Sequence, residues 1–174
     1  MEDEKPKNPR YLIVITIMTG LFTMVAALAD VAGSYIKDPE TSTEYFQQAV
    51  SFESKGDYEN ATIFYKKEIE KNPENAAAYN ALSWLYIDKL DKNYEEAITL
   101  AQTAVDLTEQ HEQTTENKYL LANYLDTLGW AYYKNGDLEN SITLLERAIE
   151  LHDQKSYKEH ISIVQEELKR QSDE

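Results

Sequence analysis

Three histidines, a surplus of carboxylates and no cysteine are the residues of this chain that could do chemistry. His111, His152 and His160 lack the H-x-x-x-H spacing that puts two imidazoles on one helix face, and no carboxylate array completes a metal site around them. They read as surface histidines. The lack of cysteine removes disulfides, thiol nucleophiles and thiolate ligands. There is no glycine-rich phosphate loop and no nucleophile motif. Asn60-Ala61-Thr62 has the form of a glycosylation acceptor, but Ala61 falls at a helix packing position, so the match reads as chance. No catalytic residue, cofactor or metal is expected, and the chain reads as non-enzymatic. What remains is binding.

Charge narrows the choice of partner. The net charge is −15, and only four of the 32 acids and four of the 17 bases precede residue 38. The imbalance therefore lies in the rest of the chain, which would repel nucleic acid and an anionic membrane surface. Good helix formers dominate and Gly (5) and Pro (4) are few, with Gly56, Gly136, Pro39 and Pro73 at predicted boundaries, so an all-α fold follows.

The elements that must position any site are helical hairpins. Leu125, Leu128, Gly129 and Tyr132 lie at i, i+3, i+4 and i+7; Leu138, Ile142, Leu145, Ala148 and Ile149 make the next apolar stripe. Between them Gly136 can take a positive φ and Asp137 can cap the second helix. The same layout recurs upstream. Thr41-x-x-Glu44 forms a capping box for a helix ending near Lys55, Gly56-Asp57 turns, and a second helix ends near Lys71, before Pro73. Asn75 caps a third helix, Leu90–Asn93 turns, and Asn93-x-x-Glu96 looks like the cap of a fourth. A fifth helix starts near Thr115. Tyr157, Ile161, Val164 and Leu168 make one stripe on a last helix.

These hairpins resemble the tetratricopeptide repeat, a 34-residue helix–turn–helix with the signature W-x2-L-G-x2-Y…A-x3-F…P. Leu125-x2-Leu128-Gly129-x2-Tyr132 with Ser141-x3-Leu145 matches it. So do Tyr45-x2-Gln48-Ala49-x2-Phe52 with Ala61-x3-Tyr65 and Pro73, and Tyr79-x2-Leu82-Ser83-x2-Tyr86 with Ala97-x3-Ala101. Ala61 to Ala97 is 36 residues and Ala97 to Ser141 is 44, so the array is stretched by two and by ten. The resemblance implies a short α-solenoid of about three hairpins at 42–75, 76–111 and 122–155, with an insertion at 112–121 and a capping helix at 156–171. The insertion either forms a polar loop or lengthens its flanking helices.

In this family the first helices of successive repeats line a groove that holds a segment of a partner. Carried over position by position, the groove comprises Phe46, Val50 and Glu53; then Asn80, Trp84, Ile87 and Asp88; then Asn123, Asp126, Trp130, Tyr133 and Lys134. Trp84 and Trp130 hold equivalent places, and such residues anchor binding hot spots. Glu53, Asp88 and Asp126 add a negative rim, which suits an apolar, basic segment. The competing reading is that the C-terminal helix, a loop or the membrane-proximal segment covers these aromatics. Members that clamp a C-terminal carboxylate use Lys and Asn where this chain has Phe46 and Val50, so chaperone-tail binding is not implied.

Ahead of the repeats, residues 1–10 form a charged tail. Tyr11 to Ala29 carries no charge in 19 residues, and mild residues continue to Tyr35, so 11–35 is a transmembrane helix candidate with a 36–41 linker. Lys5, Lys7 and Arg10 before it put the N-terminus in the cytoplasm and the repeats on the outer (periplasmic or extracellular) side. Thr16-x3-Gly20 and Ala29-x3-Gly33 could pack a second helix; Asp30 either lies within the membrane edge or ends the span in water. Ala27-Leu28-Ala29 also fits a signal-peptide cleavage site. Three readings follow: a membrane-anchored scaffold that positions a partner protein, a small structural subunit or homo-oligomer held by its membrane helix, and a secreted soluble repeat protein.

Overall fold

A computed structural model describes residues 39–111 and 114–173, and side chains from residue 44 onward. The charged tail, the apolar span 11–35 and its packing residues Thr16, Gly20, Ala29, Asp30 and Gly33 lie outside the described residues. Among the described residues no helix is long and apolar enough to cross a membrane.

The described chain is a run of helices: α1 (Pro39–Ser54), α2 (Tyr58–Lys71), α3 (Ala76–Trp84), α4 (Tyr94–Glu109), α5 (Thr115–Lys134), α6 (Leu138–Leu151) and α7 (Lys155–Ser172). From α2 onward each packs mainly on its neighbours in sequence, as a solenoid does. α1 already runs from Pro39, so Thr41 sits within the helix rather than capping it.

The first and third hairpins turn in the same way. Asp57 N–H donates to Phe52 O at 2.9 Å and Gly56 N–H to Glu53 O at 2.9 Å; Asp137 N–H donates to Tyr132 O at 2.9 Å and Gly136 N–H to Tyr133 O at 3.0 Å. This paired closure needs a left-handed residue, supplied by Gly56 (φ +75°) and Gly136 (φ +87°). Each following aspartate then caps the next helix, accepting from Asn60 N–H at 3.2 Å or Asn140 N–H at 3.1 Å. The Asn60 side-chain amide donates to Asp57 at 2.7 Å, so the amide a sugar would need is engaged in the turn.

The middle hairpin differs. α3 runs on into a π-helical turn, Leu85–Lys89, closed by Leu90 N–H to Leu85 O at 3.0 Å. The wider turn and the left-handed Asp91 (φ 48°) and Asn93 (φ 56°) take up the two extra residues. Asn93 makes no side-chain cap; its amide instead donates to Glu96 at 3.3 Å. The stabilising contact of this turn comes from the next repeat, where Lys134 pairs with Asp91 at 2.5 Å. Hydrogen bonding from Lys134 and then Tyr94 holds the Asp91 carboxyl below its ordinary range.

Small residues set how closely each hairpin closes. Ala49 faces Ala61, Ser83 faces Ala97 and Gly129 faces Ser141, all buried. Ser83 Oγ donates to Ala97 O at 2.8 Å across the second crossing. The ten-residue stretch lengthens α5, whose first turn is capped by Thr114 Oγ1 accepting from Asn117 N–H at 3.1 Å. Apolar side chains then fill two inter-repeat cores, one around Tyr65, Leu82, Leu85 and Tyr86 and one around Leu121, Leu125, Leu128 and Tyr157. On the outer edge of the first hairpin, Gln48 stands where the later repeats have Leu82 and Leu128. There Lys67 lies over Phe64 (4.6 Å) and Tyr45 (5.9 Å), so charged stems cover aromatic faces that no leucine seals.

Candidate functional site

The face that α1, α3 and α5 contribute divides into an open part and a filled part. Phe46 is half-buried and meets Tyr65 edge-on at 5.7 Å, Val50 is 44% exposed, and Glu53 accepts from Tyr65 Oη at 2.7 Å. Trp84 is half-buried, and Asp88 is exposed and paired with Lys89 at 2.7 Å. Asn80 Oδ1 is buried without a protein partner. Ile87 departs from the sequence expectation: the π-helical turn rotates it into the core, where it is 1% exposed.

The third group is covered. α7 lies against it, and Tyr157 Oη donates to Asn123 Oδ1 at 2.6 Å. His160 Nδ1 sits 2.8 Å from Asp126 Oδ1, and its ring stacks on Trp130 at 4.4 Å and 21°. The same imidazole is 6.3 Å from the Trp84 ring. Tyr133 packs on Trp130 at 4.7 Å, and Lys134 points to Asp91 and the Tyr94 ring. Asp126 is 7% exposed, so it belongs to the seat of α7 and not to an open rim. The C-terminal helix thus accounts for one indole and approaches the other.

His160 is not the surface histidine its sequence context implies. Its partners were nonetheless legible, because Tyr157, His160 and Val164 lie 34 residues after Asn123, Asp126 and Trp130. α7 continues the repeat register as an extra first helix, and its groove positions turn inward. The stripe expected on α7 fades at its end: Tyr157 and Val164 are buried, whereas Leu168 is 38% exposed. His152 meets Tyr119 edge-on at 5.1 Å. Among the described residues no cluster of histidines and carboxylates could hold a metal ion.

Two buried phenols, Tyr65 and Tyr157, are expected to make the fold alkali-sensitive. Burial first, then Glu53, pushes the Tyr65 ionisation far above the ordinary 10.0; burial, then Asp126, does the same for Tyr157. A group whose folded pKa is raised stabilises fully below its unfolded pKa and loses that contribution as pH rises toward the folded one. Lys66 and Lys134 are raised too, by hydrogen bonds to their partners, with the same sign. Thermal stability is therefore expected to fall as pH climbs above about 10. Melts from pH 8 to 11.5 check this, and Tyr65→Phe should flatten the slope.

The tetratricopeptide repeat family model matches residues 122–155, and a second tetratricopeptide model matches residues 64–99. The chain carries tetratricopeptide repeats. The first of those two matches spans α5 and α6, with Asn123, Asp126 and Trp130 inside it. Among solved structures, the chain is similar to the first TPR domain of human RPAP3 at 18% identity and a TM-score of 0.66, over 78% of this chain and 98% of that one. It is similar to the N-terminal domain of stress-induced protein-1 from C. elegans at 19% identity and a TM-score of 0.61, over 72% and 95%. It is also similar to the first TPR of Spaghetti bound to the HSP90 peptide SRMEEVD, at 17% identity and a TM-score of 0.62, over 75% and 95%. At these identities the likeness is one of fold. Comparison with curated proteins gives no match. The fold is a helical repeat solenoid.

Proposed function

We propose that this repeat domain holds a segment of a partner protein and positions it beside a membrane, to which residues 11–35 anchor the chain. The observation that carries the reading is the aromatic–acidic stretch of Phe46, Val50 and Trp84 flanked by Glu53 and Asp88, which no described helix covers while α7 seats on the third repeat. Such a surface suits an apolar segment with basic residues. The Spaghetti relative is bound to an acidic-tailed peptide, and similar solenoids make a peptide partner the natural occupant here as well. An acidic tail is disfavoured for this chain, because Phe46 and Val50 replace the cationic and amide positions that grip a terminal carboxylate, and the net charge is −15. The uncharged run from Tyr11 to Ala29 supports the anchor, with the repeats on the outer side.

A photo-crosslinking side chain at Val50, compared with one at Ile63 on the exposed face of α2, tests both parts in isolated membranes. The expected result is a defined adduct from position 50 that detergent, but not alkaline washing, releases into solution. Trp84→Ala should remove the adduct while helical circular dichroism is kept. Equal adducts from both positions would remove the groove, and recovery of the intact chain from the soluble fraction would remove the anchor.

A further inference from the structure

The filled part of the groove reveals the chemistry of the side chain it would accept. His160 brings a flat ring with an N–H edge into a niche bounded by two indoles and a carboxylate. It stacks on Trp130 at 4.4 Å and 21°, stands 6.3 Å from Trp84, and meets Asp126 at 2.8 Å. A guanidinium makes the same set of contacts: it stacks on an indole face and points N–H groups at a carboxylate in its own plane. An ammonium has no plane to stack. The niche is also reachable, since the His160 and Asp126 side chains keep 19% and 10% exposure. It adjoins the open stretch through Trp84, which touches both parts of the face.

We propose that Trp84, Trp130 and Asp126 form a subsite for an arginine side chain of the partner segment, held in the free chain by His160. This rests on the groove reading above and specifies its occupant. His160 acts as an internal competitor, so the free domain discriminates against weak basic segments and yields only to an arginine with apolar neighbours for Phe46 and Val50.

The test uses three acetylated and amidated tripeptides, Leu-Arg-Leu, Leu-Lys-Leu and Leu-citrulline-Leu. The chain has 2 tryptophans and both border this niche, with Trp84 also facing the open stretch, so tryptophan fluorescence reads binding at either part of the groove. The arginine peptide is expected to bind about tenfold more tightly than the other two, as one stacked charge-assisted contact implies. His160→Gln is expected to tighten the arginine peptide by about tenfold, the gain when a competitor occupying roughly nine-tenths of molecules is removed. Asp126→Asn should erase the preference for arginine over citrulline. Equal binding of arginine and citrulline peptides overturns the subsite, even if His160→Gln fails to fold. If peptides bind without preference and Val50→Glu abolishes them, the groove stands and only the arginine subsite falls. If the position-50 adduct is also absent, the groove falls with it.

Discussion

Replacing Gly129 by alanine is expected to destabilise the domain, although it puts a better helix former into the middle of α5. The helix gain is about 1 kcal/mol. Against it stands the space at the crossing with α6. A Cβ on Gly129 would lie 2.9 Å from Leu145 Cγ, 3.2 Å from Leu145 Cδ2 and 3.2 Å from the Ser141 carbonyl oxygen. Leu145 is fully buried and cannot swing aside, and the carbonyl moves only if α6 moves. Overpacking of this kind costs about 1–3 kcal/mol, and here the backbone contact puts it toward the upper end. The expected net loss is about 1–2 kcal/mol, read as a fall of roughly 3–10 °C in Tm by circular dichroism. Gly129→Val should lose more, because its added methyls reach the same two neighbours. Gly136→Ala is the control with a different cause: nothing lies within 4 Å, so its cost of about 1–2 kcal/mol comes from a φ of +87° alone. A Tm unchanged by Gly129→Ala would mean that the third hairpin opens at little cost.

That contrast also explains what the sequence made legible. Turns that rest on one local requirement could be read directly. Gly56-Asp57 and Gly136-Asp137 each need a left-handed residue followed by a cap, and both pairs close the same hydrogen bonds. The start of α5 at Thr115 was readable from the spacing of Tyr119, Leu120 and Tyr124. The middle turn was not. An extra residue taken up as a π-helical turn keeps Leu85 and Tyr86 on the buried face, so the apolar pattern through Leu85–Lys89 does not register it. Only the position of Ile87, shifted from groove to core, betrays it. Asn93 resembled a cap by its distance from Glu96, but a left-handed backbone points its side chain elsewhere. The groove was half legible. The family register placed Trp84 and Trp130 on one face, and both meet His160 there. What covers that face depends on a contact 34 residues away in sequence, and the apolar stripe on α7 marks its buried side without marking the groove positions that the helix continues.

Tyr157 decides whether that cover holds. Its side chain is 1% exposed, packs in the core shared by the second and third repeats, and donates to Asn123 at 2.6 Å. Tyr157→Ala is expected to cost about 3–5 kcal/mol, the range for removing a large buried aromatic. Tyr157→Phe keeps the ring and should cost only about 1 kcal/mol, since the half-buried Asn123 can still reach water. The two losses should differ in kind as well as in size. A solenoid is stabilised repeat by repeat, and its terminal element depends on one interface. Without the Tyr157 ring, α7 retains Val164 and Ile161 in the cluster with Leu138 and Leu145, and the His160 stack on Trp130, but loses its place in the larger inter-repeat core. Hydrogen exchange should therefore lose protection first across Lys155–Ser172 while α1 to α4 keep theirs, giving a melt with an early, partial loss of helix. If α7 and the remaining helices still unfolded together in Tyr157→Ala, His160 and Val164 would be sufficient to seat the helix. His160 would then be a structural bolt across Trp130, too firmly held to yield its place to a partner's side chain. A detached α7 has the opposite consequence, uncovering Asn123, Asp126 and Trp130 together and extending the open groove across all three repeats.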